Sequence, residues 1–255
     1  MMQFFLIALA LAFVVKYPII LIIIVPVILY MIWNAWDDKR HGTVQDAYDE
    51  LGLRYIEEAH RVGIEKKSKI VSVFTNKWFD KAADTFTVID IETTGLSKIT
   101  DHIVEIAAIR YNGGLEWEKM VSLVKPPVEI PQVTIDIHHI TNRMVKDAPT
   151  IEDVLPAFLE FIGDDLVVGH NVNFDIGFIE LAARRLGYDP VWNYVDTISV
   201  AKKIIPGLPN YKQATVINAL GIRQDIAHRA EDDCRACAEI LILALQKIAN
   251  GEMEG

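Results

Sequence analysis

Hydrophobic and polar positions divide the 255 residues into three stretches. The first is apolar on every side. From Phe4 to Trp33 the only charged side chain is Lys16, and the run from Tyr17 to Trp36 carries none. That run has the length of the roughly 20 residues that cross a bilayer as a helix. Tyr30, Trp33 and Trp36 gather near its end, where amphipathic rings prefer the lipid–water boundary. The pattern predicts a membrane segment within residues 1–36. A secretory leader would want a basic start and a small-residue cleavage site, but Met1-Met2-Gln3 is uncharged and Ala8 and Ala10 come too early. A single span from Tyr17 and a re-entrant hairpin turning at Lys16-Tyr17-Pro18 both stay open, the single span being favoured on length. Lys39 and Arg40 follow the segment and place the remainder in the cytoplasm, although Asp37 and Asp38 beside them weaken the count.

Residues 37–84 are polar and mixed in charge and read as a helical, basic connector. Thr43 with Asp46 resembles a helix-starting cap, and Val44, Ala47, Tyr48, Leu51, Tyr55, Ala59 and Val62 recur at helical spacing, interrupted at Gly52 and Gly63. A helix packed on the following domain is favoured over a self-association helix. Lys66, Lys67, Lys69, Lys77 and Lys81 form a basic cluster that suits phosphates or anionic lipid heads as well as it suits a solvated linker.

From residue 85 the period changes. Phe86–Glu92, Ile103–Tyr111 and Glu116–Val124 alternate as strands joined by short links, which predicts an antiparallel meander. Helices then alternate with short strands: helix at 151–162, strand at Leu166-Val-Val-Gly, helix at 176–186, strand at Tyr194-Val-Asp, and helices near 197–205, 211–220 and 230–249. The order implies an α/β fold, a mixed sheet with helices on its faces. Its chemistry should gather at strand ends and the loops beyond them. The expected domain spans 85–249, with a tail at 250–255.

Composition sharpens this picture only in places. A charged fraction of 24% excludes a disordered chain, and two cysteines exclude a disulfide scaffold. The net charge of −10 argues against a polybasic nucleic-acid binder but not against a nuclease whose carboxylates hold metal ions. Residues 1–84 carry ten basic and ten acidic side chains, and 85–255 carry fifteen and twenty-five, so all the excess is in the domain. Cys234-x-x-Cys237 has no second pair to complete a zinc site, and a reduced thiol pair is the better reading.

Asp90 and Glu92 lie two apart on the first strand of the domain, so both face one side while Ile89 and Ile91 face the other. Two adjacent carboxylates repel unless a cation lies between them, and a solvent-facing pair is the alternative. Asp175 after His170-Asn-Val-Asn-Phe suits a helix N-cap, and Asp233 in His228-Arg-Ala-Glu-Asp-Asp suits a helix start. None is decisive alone. In order, however, Asp90-x-Glu92-Thr-Thr-Gly, His170-Asn-x-x-Phe-Asp175 and His228-x-Ala-x-x-Asp233 resemble the DEDD superfamily of 3′→5′ exonucleases, in its histidine branch typified by DnaQ-like proofreading domains. The resemblance covers about residues 86–249 and implies the ribonuclease-H-like mixed sheet.

The resemblance assigns roles. Asp90, Glu92, Asp175 and Asp233 would hold two divalent cations, Mg²⁺ or Mn²⁺, and His228 would take the proton of the attacking water. Thr93, Thr94, Gly95 and Leu96 match the turn cradling the terminal nucleotide, with His138, His170 and Phe174 lining the same pocket; plain interior packing is the alternative for each. Asp196 matches a strand-end aspartate of structural use. The implied activity releases nucleoside 5′-monophosphates from 3′ ends, of single-stranded DNA ahead of RNA. RNA trimming by the same site, or a non-cleaving membrane adaptor, are the alternatives. Proofreading subunits carry a C-terminal extension that binds their polymerase, and this chain instead adds an apolar segment at its other end. The expectation is a membrane-anchored enzyme facing the cytoplasm, without a stable replicative polymerase partner.

Overall fold

The computed structural model describes residues 68–224 and 228–253. The apolar segment at 1–36, the helix expected over 43–63, and Lys66 and Lys67 lie outside them. Among the described residues no helix is long and apolar enough to cross a membrane.

The strands are β1 (Lys69–Ile70), β2 (Thr85–Thr93), β3 (Ile103–Asn112), β4 (Leu115–Leu123), β5 (Val167–Gly169) and β6 (Asn193–Asp196). The helices are α1 (Asn76–Asp84), α2 (Gln132–His138), α3 (Asn142–Val145), α4 (Ile151–Ile162), α5 (Asn173–Arg185), α6 (Thr197–Ile204), α7 (Gln213–Leu220) and α8 (Ala230–Ala249). One sheet takes the order β1-β6-β5-β2-β3-β4. β2, β3 and β4 pair antiparallel, whereas β5 is parallel to β2, and β6 and β1 extend that direction. This is the mixed sheet the element order predicts, as expected of a ribonuclease-H-like fold.

Alternation along the strands separates two cores. Phe86, Val88, Ala107, Val168 and Val195 pack beneath α6, α7 and α8, where Val200, Val216, Cys234 and Leu241 are buried. Ile89, Ile91, Ile106 and Val167 pack against α4 and α5 through Leu155, Phe158, Ile176 and Ile179. Asp90 and Glu92 continue the parity of Val88, so they point to the α8 face at the C-terminal end of β2. Both cysteines are reduced and buried there, with Cys234 Sγ 3.7 Å from the Val88 carbonyl.

Five elements differ from the sequence-based expectation. β1 and α1 lie upstream of residue 85, and Val73, Phe74 and Ala82 share the core with Phe86, so the packed body takes in part of the connector. A two-residue strand has no periodicity to read; pairing with β6 alone defines it, through Lys69 N–H to the Trp192 carbonyl and Val71 N–H to that of Tyr194, both 2.8 Å. α2 and α3 fill the loop after β4, where only one or two turns form. α5 begins at Asn173, not Ile176, with Val172 at its N-cap, which puts Asp175 inside the first turn rather than capping it.

Candidate active site

β2 ends between β3 and β5, so its last residues meet side chains from both neighbours. Asp175 arrives from α5 and is buried; its Oδ1 accepts the Ile91 N–H at 3.1 Å, which ties the helix start to the strand between Asp90 and Glu92. Asp233 arrives from the first turns of α8, also buried. Its Oδ1 accepts Gln224 Nε2 at 2.6 Å, and its carbonyl accepts Gln213 Nε2 at 3.0 Å. An oxygen of Glu92, an oxygen of Asp233 and a ring nitrogen of His228 all lie within 4.8 Å of one another. His228 is exposed and adopts a left-handed backbone, φ 59°, at the rim of this group.

The carboxylates disturb one another. Burial, then Asp175, Asp233 and Glu92, hold Asp90 well above the usual carboxylate range. Burial and then Asp233 push Glu92 up to about 8. Asp175 rises to about 8 through burial, against the pull of its backbone hydrogen bonds. Burial raises Asp233 as well, opposed by the Gln224 hydrogen bond and by His228. Among the described residues no lysine or arginine pairs with any of the four. Arg229 opposes the rise of Glu92 without forming a salt bridge to it, and buried, mutually repelling oxygen donors so weakly compensated fit hard divalent ions. The two buried thiols of α8 lie on the same face of the sheet, outside the group formed by Glu92, His228 and Asp233.

The remaining sequence-predicted residues fall into two groups. Thr93 Oγ1 donates to the Gly95 carbonyl at 2.6 Å, and Thr94 Oγ1 accepts the His102 N–H at 2.9 Å, folding a tight turn. A Cβ on Gly95 would come within 2.4 Å of the Asp101 carboxylate, which bonds the Ser97 N–H and would have to swing aside. Leu96 stands out from it, 88% exposed. Phe174 is half-buried against Phe178, ring centroids 4.9 Å apart, on the α5 side. His138 is buried, 1% exposed; its Nδ1 accepts the Ile140 N–H at 3.0 Å. Its Nε2 makes no hydrogen bond of ordinary geometry, although the backbone of Thr93 pulls its pKa upward against the larger effect of burial. His170 is a brace: Nδ1 bonds Thr197 Oγ1 and Nε2 the Tyr211 carbonyl, both 2.8 Å, so neither nitrogen is left for a ligand. Asp196 is likewise structural, its Oδ1 accepting the N–H groups of Asn171 and Ile198.

Glu105 and Arg229 escaped the sequence reading. Glu105 sits on β3 opposite Glu92 and is buried; Arg229 grips it, the closest contact being 2.6 Å, and Ala230 N–H donates to it at 3.0 Å. Arg229 directly follows His228, so this pair anchors the backbone that presents the histidine. The available signal was a glutamate inside Ile103-Val-Glu-Ile-Ala, where every neighbour is apolar and a buried charge demands a partner.

Comparison with known proteins agrees with this geometry. A family model described as "Exonuclease" matches residues 87–241. The DNA polymerase III epsilon subunit of Aquifex aeolicus is 39% identical over 165 residues, covering 64% of this chain and 82% of that protein. The PolC-type DNA polymerase III of Oceanobacillus iheyensis is 38% identical over 219 residues, 80% of this chain, but the match spans only 15% of the polymerase. Exonuclease X in complex with 5′-overhanging duplex DNA aligns with a TM-score of 0.52 and 29% identity, over 64% of this chain and 93% of that one. E. coli exonuclease I with a dT13 oligonucleotide aligns with a TM-score of 0.56 and 23% identity, over 64% and 41%, a likeness of fold.

Proposed function

The chain belongs to the DnaQ-like family of 3′→5′ exonucleases, which work with two divalent metal ions, and from that premise we propose that it shortens DNA from 3′ ends at a membrane surface, releasing nucleoside 5′-monophosphates. One observation carries the chemical part. Asp90, Glu92, Asp175 and Asp233 form an unneutralised cluster at a strand end, with His228 at its rim.

Asp90, Glu92, Asp175 and Asp233 would hold the cations, which when bound supply positive charge to the attacking and leaving oxygens of the phosphodiester. The Ile91 N–H and Gln224 Nε2 fix the orientation of Asp175 and Asp233, so the donors need little rearrangement on loading. His228 reaches both solvent and the Glu92–Asp233 edge, the position of a base that takes a proton from water. The Thr93–Leu96 turn offers the terminal nucleotide an exposed apolar side chain in Leu96. The uncharged run Tyr17–Trp36 supports the membrane anchor, and Lys39 and Arg40 support a cytoplasmic domain. The enzyme then acts apart from a replicative polymerase.

The test uses the whole 255-residue chain in detergent, on 5′-labelled single-stranded DNA and RNA, with Mg²⁺, Mn²⁺ or EDTA, beside Asp90→Asn. A ladder shortening from the 3′ end, faster on DNA and absent with EDTA and in the variant, is expected. Faster shortening of RNA would replace the substrate class, and no cleavage by the metal-loaded chain would overturn the reading. For the anchor, the chain should float with phosphatidylglycerol vesicles and stay with them in high salt. Release by salt, or stoichiometric co-purification with a replicative polymerase, would remove that part.

A further inference from the structure

The face formed by α6 and α7 carries a cleft of about 500 Å³, whose walls include Asn171, Lys202, Tyr211, Lys212 and Gln213. That is room enough for a nucleotide-sized group. We propose that this cleft receives the DNA strand one or two nucleotides upstream of the scissile bond, with Lys202 and Lys212 neutralising its phosphates; the proposal rests on the exonuclease reading above.

Position supports it. Val88 pairs with Val168 in parallel register, and Asn171 follows two residues past the end of β5, the strand next to β2 on that side. Gln213 joins the cleft wall to the site by its hydrogen bond to the Asp233 carbonyl. The nucleotide turn lies on the other side: Lys98, just beyond Leu96, rests against Gly177 of α5, and Phe174 packs with the α4–α5 core. A strand with its terminal nucleotide at that turn crosses the carboxylates and leaves over the α6–α7 face.

Charge supports it as well. Residues 85–255 carry ten more acidic than basic side chains, yet among the described residues that line this cleft there is no carboxylate, Asp196 sitting behind the wall on the N–H groups of Asn171 and Ile198. Arg229 is occupied by Glu105 and Arg235 by Glu116 and Glu231; Lys119 is held by Glu231. Lys202 and Lys212 form no ion pair among the described residues; Lys202 Nζ rests 5.6 Å from the centroid of the Tyr211 ring. A phosphate polymer approaching an acidic domain binds where fixed positive charge is unspent. Tyr211, whose hydroxyl donates to the Ile205 carbonyl at 3.2 Å, adds a fixed aromatic face for a sugar or base.

The p-nitrophenyl ester of thymidine 5′-monophosphate has a terminal nucleotide but no upstream strand, so it separates the cleft from the chemistry. In the whole chain, Lys202→Ala with Lys212→Ala should raise KM for a dT oligonucleotide about tenfold or more while ester hydrolysis changes less than about twofold. The slope of log affinity against log salt should become shallower by about 1.4, from about 0.7 per phosphate contact on a single strand, and the Lys→Arg pair should restore both. Equal losses on both substrates, or an unchanged oligonucleotide KM and salt slope, would overturn the proposal. If the unaltered chain hydrolyses neither substrate, the exonuclease reading fails. Fluorescence anisotropy of a labelled oligonucleotide in EDTA then decides the cleft: weaker binding by the double alanine variant upholds it, and equal binding overturns it.

Discussion

At the β3–β4 edge, Arg235 is held by Glu116, Glu231 and Asp232, and Arg110 by Asp165 and Glu118. At the end of β2, four carboxylates gather with no such partner among the described residues. Both regions are rich in acid and both lie on one sheet, but only in the first is every carboxylate paired with a cation of the chain itself. The lesson concerns where a fold leaves its electrostatics unfinished. The edge network is complete and contributes modestly to stability. The β2 cluster costs stability as it stands, and that deficit is what gives it affinity for cations.

The sharpest way to break the comparison is Asp90→Asn. Activity should fall on the order of a thousandfold or more, because a ligand is lost at the reacting centre. The metal-free variant should nevertheless melt at a higher temperature than the parent, since a carboxylate repelled by Asp175, Asp233 and Glu92 has gone. A lower melting temperature by calorimetry would show that the cluster is neutralised in some other way.

Glu105→Gln comes next. It leaves Arg229 without its buried carboxylate and sets an amide NH2 against a donor, so stability should drop by about 2–3 kcal/mol, the lower end for a broken buried pair because Arg229 is partly exposed. Turnover should fall by about 10- to 100-fold as His228 loses its anchored neighbour, with KM little changed. Denaturant melts and kcat measured separately check the two halves.

Acidity sharpens the comparison further. Glu92 and Asp175 are pushed up to about 8. A carboxyl with a higher pKa folded than unfolded stabilises the fold fully below its unfolded value and loses that contribution as pH rises through the folded one. The metal-free protein should therefore melt progressively lower from about pH 4.5 to about pH 8, and saturating Mn²⁺ should flatten the fall. A melting temperature rising across that interval in EDTA would contradict the shifts. Arg235→Ala should have the smallest effect, about 0.5–1 kcal/mol in stability with unchanged turnover on the same oligonucleotide.

What was readable in the sequence follows from range. The parity of Asp90 and Glu92 is a local property of a strand, and the burial of Ile89 and Ile91 on the opposite face bears it out. Helices 151–162 and 230–249 carry long periodic faces, and both occur with those limits. The grip of Arg229 on Glu105 joins residues 124 apart in sequence and leaves no spacing to recognise. His170 shows the reverse difficulty: the motif is plain, but the use of both ring nitrogens as struts depends on Thr197 and on the Tyr211 carbonyl, which only the tertiary fold brings near.

β1 has a mechanical consequence. The chain joins the sheet at its outer edge through two backbone bonds to Trp192 and Tyr194, three strand positions or about 14 Å from β2. A pull arriving from residues before 68 meets first the Ser68 hydroxyl, bonded to Glu180 and to the Trp192 N–H, and then those two bonds. The joint can fray like the last stitch of a seam while Asp90 and its neighbours keep their places.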